Sequence, residues 1–448
     1  MAETETPKLQ RVLSVWDLIF YGIVLIQPIA PVGIFGLASR ISQGHAVTTI
    51  LIAMFAMMLT AWSYGRMATL YPVAGSAYTY VSRGLNVHLG FLTGWAMFLD
   101  YLIIPVVSTI YVALTAQRLA PQVPYAAWVA ITVGSITIMN VRSVRFTARA
   151  NQLLLTAMSF VIVAFVVLAV RFLFGQAGWS GVFAVTPFYD PRTFHLSAVA
   201  TATSLAALTY IGFDGVTTLA EEVRNPKRAV PLATILVCLI TGLLSTVEVY
   251  LAQRIWPDYN SFPNVETAFL DVTARVGGSL LFQGMAIILI VACFGSGLAG
   301  QAGAARLLYG MGRDKVLPQR LFAHIDPKSH NPTYNVLLIG VLTFVMALLI
   351  SYERGAELLN FGAFLAFMGV NIAALRTLLG HGRRGGWKNY CGAMASALGF
   401  LFCLAIWVSL PVPAKVGGGL WFLAGIIYSA VRTRGFRLRP TLVDFGES

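Results

Sequence analysis

Hydrophobic residues run in long blocks along this chain, with short polar stretches between them. A helix needs about 20 apolar residues to cross the roughly 30 Å hydrocarbon core of a bilayer. Runs of that order occur near 15–39, 46–68, 88–117, 124–140, 151–174, 196–222, 231–252, 279–308, 334–351, 357–379, 391–411 and 416–431, which predicts twelve membrane-spanning helices. The segment 257–278 is polar and reads as an external loop with a short helix. Two runs are interrupted. In Tyr21–Gly36 (YGIVLIQPIAPVGIFG), two prolines and a glycine fall where an unbroken helix is expected. In Tyr210–Pro231 (YIGFDGVTTLAEEVRNPKRAVP), Gly212 and Gly215 bracket an acid, Asp214. Helices broken at mid-depth leave backbone N–H and C=O groups free, and such groups bind solutes and ions. The pattern predicts a transporter whose substrate sits at the two breaks.

The breaks fall in spans one and six. A five-helix offset is expected if two inverted repeats, about 15–174 and 196–379, make up a ten-helix core over residues 15–390. Helices eleven and twelve (391–431) are then appended, with tails at 1–14 and 432–448.

Composition sharpens this. The 448 residues are 57% hydrophobic and 11% charged, with mean hydropathy +0.75. A soluble domain carries about 25% charged residues, so almost none of the chain is a soluble domain. The net charge of +13 would suggest nucleic acid if it were gathered on one domain. Here Lys and Arg sit in short loops, so a lipid bilayer is the expected partner and nucleic acid is not. With the N-terminus inside, 23 of the 31 basic residues fall on the inner side and 8 on the outer. That bias predicts both termini in the cytoplasm. Met1–Gln10 lacks a cationic start and a small-residue cleavage site, and reads as a retained tail. Cys238, Cys293, Cys391 and Cys403 have no metal-ligand spacing and read as packing residues.

Four segments carry a family resemblance. Gly212–Pro231, Tyr71–Asn86, Arg306–Lys328 and Leu358–Asn371 resemble the sixth span, the loop between spans two and three, the loop after span eight, and the tenth span of the amino acid–polyamine–organocation superfamily. Gly94–Pro105 (GWAMFLDYLIIP) and Gly212–Leu219 (GFDGVTTL) look most like bacterial putrescine importers. The resemblance implies an all-α, LeuT-type fold with broken helices 1 and 6, alternating access, and a substrate held between spans 1, 3, 6, 8 and 10. It also implies a bacterial inner-membrane location. Amino-acid members use small residues in the first break to offer N–H groups to an α-carboxylate. This chain has Gln27-Pro28-Ile29-Ala30-Pro31, where neither proline has an N–H. The proline carbonyls and the Gln27 amide oxygen remain as acceptors, which suits an amine; on the other reading the prolines only set the kink and donors from Gly33 onward suffice for a carboxylate. The putrescine importers it resembles carry a further acid in this span where this chain has Val32-Gly33, so a short monoamine such as ethanolamine fits as well as a diamine. Some members replace a sodium ion with a lysine in span five. Asn151–Phe172 has none, and Ser296 in span eight is the one hydroxyl singled out for a sodium site. Proton coupling through an acid is favoured over sodium. No cofactor or metal is expected, and the protein is expected as a monomer or homodimer.

Five residues stand out as chemistry. Asp100, near the middle of span three, is expensive in a membrane unless paired or solvated. It either meets a cationic amine or proton in the cavity, or pairs structurally. Asp214 is either a counter-charge or proton carrier, or a partner for loose N–H groups of its own unwound segment. Tyr101, Tyr210 and Phe213 offer ring faces that attract ammonium groups, with Phe213 also a candidate gate. Tyr309 and Phe361 are weaker candidates of the same kind. Glu221 and Glu222, near Arg224, Lys227 and Arg228, read as an inner-gate ion-pair network. Glu248, near the outer end of span seven, is expected to snorkel to the surface. An amino-acid permease of the same superfamily is the first rival; an intramembrane enzyme or a receptor is the second, and the sequence shows no nucleophile–base pair, no metal motif such as His-Glu-x-x-His and no soluble sensing domain.

Overall fold

The computed structural model describes residues 13–72, 76–142, 148–220, 222–313, 317–326, 331–380 and 382–437. Among them every regular element is helical, apart from one isolated parallel bridge between Leu13 and Val223.

The first apolar run forms two helices, α1 (Val15–Ile26) and α2 (Ala30–Ile41), bent by 49° from one another. Ser14 starts α1 through a capping box with Asp17. Gln27 ends it with φ at +66°, a value few residues with a side chain adopt. Pro31 then sits in the first turn of α2, where a missing N–H costs nothing. α3 (Ala46–Leu70) follows, then a short helix, α4 (Ser76–Gly84), and the long α5 (Val87–Leu119). α6 (Tyr125–Val141) leads to α7 (Ala148–Val182), which leaves helical geometry at Ala177 and Gly178. α8 (Leu196–Ala206) runs into two 3-10 turns, Ala207–Tyr210 and Phe213–Leu219, separated at Gly212. The rest is α9 (Pro226–Ile255), α10 (Ala268–Arg313, bent at Gly278), α11 (Gln319–Phe322), α12 (Thr333–Leu349), α13 (Tyr352–Gly380), α14 (Gly382–Val408) and α15 (Val412–Arg432).

Among the described residues nine helices are long and apolar enough to cross a membrane, or ten with α1 and α2 taken as one broken span. Two shorter apolar helices, α6 and α12, stand outside that count. The chain is therefore a multi-pass membrane protein. Burial separates centre from rim. The apolar windows of α5 and α13 are 67% and 72% buried, those of α7 and α15 only 22%. α15 is nonetheless fixed to α5 by a stacked pair of rings, Trp95 and Trp421, 5.1 Å apart. Each indole N–H donates to the other residue's carbonyl, at 2.9 and 3.0 Å.

Two local readings change. The short helix expected in 257–278 is the first arm of α10, which continues past Gly278 instead of ending before the span. α4 was read as loop. Its buried residues Ser76, Ala77, Tyr80 and Val81 recur at helical spacing within a polar stretch too short to suggest a span.

Candidate functional site

A cavity of about 620 Å³ lies where the two breaks meet. Its walls come from α1 and α2, α5, the turns after α8, and α10, with smaller contributions from α6, α7 and α13. At the crossing of the breaks, Leu25 packs on Gly212 and Gly215, and a Cβ on Gly215 would lie 2.6 Å from Leu25 Cδ1. Gly212 has φ at +115°, the left-handed region that glycine enters without cost.

α5 supplies one wall as a single helical face: Asp100, Ile104, Val107, Ser108 and Tyr111. α10 supplies the facing wall with small residues. Ala292, Gly295, Ser296, Ala299, Gly300 and Gly303 all line the space. A Cβ on Gly300 would meet Ile104, and one on Gly303 would lie 3.0 Å from the Tyr101 ring. The small residues thus set how closely α5 and α10 approach. Exposure varies along the cavity. Tyr111 and Tyr352 are buried at one end, against Gly33. Tyr101 is 39% exposed and Arg306 is also exposed, so the space opens on their side.

Asp100 and Asp214 both line the cavity, close enough for their charges to interact. Asp100 Oδ1 is buried without a hydrogen-bond partner. The Asp214 carboxylate, by contrast, is met by backbone groups of Gly212, Gly215 and its own residue. Tyr101 stands beside Asp100, and Ser296 lines the opposite wall. Gln27 also lines it, and its side-chain amide donates to Ala292 O on α10 at 2.9 Å. The donors of the amide are directed to α10, and its oxygen takes no part in that bond.

Two of the amides that open α2 are occupied, while Ile29 and Gly33, which also line the cavity, carry N–H groups outside these bonds. Ala30 N–H donates to Gln27 O at 3.0 Å, Val32 N–H to Ile29 O at 3.1 Å, and Pro31 has no N–H. The helix start therefore offers a carboxylate fewer donors than one without the two prolines would.

Other expected residues lie elsewhere. Tyr210 is fully buried away from the cavity wall, and its hydroxyl donates to Ile50 O on α3 at 2.9 Å. Phe213 is also fully buried, packed against Tyr64 and Phe367 at 5.3 and 5.2 Å between ring centres. The turn at Gly212 is the reason. It points Asp214 into the cavity and the neighbouring rings into the helix packing. Pro28 is buried behind the break and sets the bend without lining the space. Neither Phe361, packed on Trp407, nor Tyr309 lines it. Glu221 lies outside the described residues. Glu222 forms no ion pair among them. It acts through its main chain: Leu13 N–H donates to Glu222 O, and Arg224 N–H donates to Leu13 O, at 3.0 and 3.1 Å. This two-bond bridge ties the start of span one to the segment after span six. Cys293 lines the cavity and is not solely a packing residue, while Cys238 and Cys403 are buried in the helix packing.

Tyr111, Tyr352 and the small-residue face of α10 were missed. Tyr111 is legible afterwards as Asp100 plus eleven, three turns along the same face. The run Gly295–Gly303 (GSGLAGQAG) is a small-residue stretch of the kind that lets membrane helices approach closely.

The sequence matches the family model for amino acid permease over residues 18–419. The chain belongs to the amino acid permease family. It is 29% identical to the low-affinity putrescine importer PlaP of Escherichia coli K12 over 97% of this chain and 96% of that protein. It is 26% identical to the branched-chain amino acid permease BcaP of Lactococcus lactis over 95% of each. It is 26% identical to the methylthioribose transporter of Bacillus subtilis over 84% of this chain and 82% of that protein. Family and relatives are transporters, not enzymes, which excludes the intramembrane-enzyme reading.

Proposed function

We propose that this permease imports a small organic amine, a putrescine-like diamine or a short monoamine such as ethanolamine, across the bacterial inner membrane by alternating access. The observation that carries this is the asymmetry of the cavity. Two carboxylates and an exposed aromatic face line it, while at the start of α2 the Ala30 and Val32 amides are occupied and Pro28 and Pro31 have none, which leaves fewer donors there than negative charges and acceptors. An ammonium group finds counter-charge at Asp100 and Asp214 and a ring face at Tyr101, the last worth about 0.5–2 kcal/mol. The Gln27 amide oxygen is a further acceptor. A zwitterion's carboxylate finds the same two negative charges and few donors. The likeness to a putrescine importer over nearly the whole chain supports this reading.

The transport cycle follows from the fold class. Twelve spans, counting α6 and α12 with the ten, form a five-plus-five inverted repeat with two added helices. The 23-to-8 distribution of Lys and Arg supports a reading with both termini, and with them the cavity mouth beside Arg306, on the cytoplasmic side. The structure then corresponds to an inward-facing state, closed on the outside by Tyr111 and Tyr352. Coupling to protons is favoured over sodium in this reading, and the bond from Gln27 to Ala292 O across the span-one to span-eight gap beside Ser296 is in keeping with it. The unit is a monomer or homodimer.

A second reading, an amino-acid permease, is favoured by the likeness to branched-chain permeases. Competition against uptake in proteoliposomes separates the two. Putrescine or ethanolamine is expected to inhibit, and leucine, arginine and glutamate are not. Inhibition by leucine alone would establish the second reading.

A further inference from the structure

Glu248 has no role in the cavity, yet it is the most completely isolated acid among the described residues. It lies on α9 seven residues before the helix end, where snorkelling to the surface was expected. Instead it is 1% exposed, and neither carboxylate oxygen has a hydrogen-bond partner. The correction has a geometric cause. Thr234, Thr241, Ser245 and Glu248 recur at helical spacing and share one buried face of α9. That face packs along α3 in antiparallel register: Thr234 Oγ1 reaches Ala61 O, a Cβ on Gly242 would meet Met54, and Gln253 donates to Gly44 O. Glu248 therefore stands level with the first turns of α3, where the Tyr210 hydroxyl holds Ile50 O. This is the far side of the molecule from the cavity mouth.

Among the described residues no charge on the surrounding elements is shown to compensate it; Arg254, on α9 itself, donates to Ser180 O and Gly181 O. On α3, the His45 ring contacts Ser42 O and accepts from Asp190 N–H, so both nitrogens are engaged. Arg40 on α2 and Arg171 on α7 are exposed. On α10, Asp271 pairs with Arg118, and Arg275 lies over Trp256 and donates to Ile255 O. Tyr210 is committed to Ile50 O, and Tyr250 on α9 itself to Val182 O. Tyr21 on α1, Asp214 and Cys238 belong to the other half of the bundle or to the packing. An ionised carboxylate without donor or cation is expensive in a dry helix interface.

We propose that Glu248 is a proton-binding site, and that the outer half of the bundle closes only around its neutral form. In the outward-open state the carboxylate meets water and takes up one proton from the outer phase, giving the carboxylic acid, with no other bond made or broken. Closure thus consumes a proton. It is favoured at low outer pH and weakens as the outer pH rises through the carboxyl's range. The inference rests on the transporter reading and adds a coupling group distinct from Asp100 and Asp214.

Two readouts test it. The first is uptake of whichever solute the competition assay selects, with the outer pH stepped from about 5.5 to about 8. Wild type is expected to lose about tenfold in rate, and Glu248→Gln to lose about threefold less than that, the remaining dependence coming from the acids of the cavity. The second needs no transport. An Ala38→Cys variant on α2 is labelled by an impermeant thiol reagent from outside, above the background of the native cysteines. Labelling is expected to rise with pH when Glu248 is present and to stay flat with Glu248→Gln. Glu248→Leu serves as a second neutral variant if Gln disturbs folding. A flat wild-type profile in the labelling experiment, or a Glu248→Gln profile like that of wild type, overturns the proton site. Transport of leucine instead of an amine would overturn the substrate reading and leave the labelling result to judge Glu248.

Discussion

Asp100→Asn is expected to reduce amine uptake about thirtyfold or more at low substrate concentration. Removing one partner of a desolvated charge pair costs about 2–5 kcal/mol, and each 1.4 kcal/mol is tenfold. Asp100 qualifies because its Oδ1 is buried in the cavity wall and accepts from no protein group. The carboxylate is thus held in reserve for something that is not part of the chain. For the same reason the substitution breaks no internal hydrogen bond at that atom, and thermal stability is expected to change by less than about 1 kcal/mol. Initial uptake rates and a melting curve on the same preparation check both halves. Uptake within twofold of wild type would remove Asp100 from the site.

Gly212→Ala is expected to lower uptake at least about tenfold and to destabilise the protein by about 1–3 kcal/mol, the cost of a strained backbone. The penalty is conformational. A Cβ there would sit 3.4 Å from the Leu25 carbonyl carbon, which is ordinary contact, but φ at +115° is closed to residues with side chains. Relaxing that angle swings the turn that aims Asp214 at the cavity and Phe213 at Tyr64. Gly134→Ala is the control. Its Cβ would meet nothing within 4 Å, and that variant is expected to transport like wild type. Equal uptake by the two variants would show that the turn at Gly212 does not shape the site.

Much of the fold was legible because membrane spans are long and apolar. The runs near 46–68 and 88–117 correspond to α3 and α5, and the prolines and glycines of spans one and six mark real breaks. The acids were legible too, since Asp100 and Asp214 are costly wherever a membrane helix is not cavity-lined. The rings were not. Tyr210 and Phe213 come just before Asp214 in sequence, but a 3-10 turn rotates neighbours by about 120° per residue, so adjacent positions face different surroundings. Periodicity reads one face of a regular helix and fails in such a turn. Glu248 was misread for a related reason. Distance from a span end suggested the surface, whereas the angular position on α9 decides, and that depends on which face α3 covers. The inner-gate ion pairs expected of Glu222 gave way to main-chain bonds with Leu13, a contact between segments about two hundred residues apart that no local pattern signals.

The central claim is electrostatic, and a structure with bound substrate tests it most directly. With putrescine or ethanolamine supplied, density is expected in the cavity with an ammonium group against Asp100 or Asp214 and the carbon chain along Tyr101. A ligand carboxylate seated on the amides at the start of α2, with both aspartates left facing water, would contradict the account.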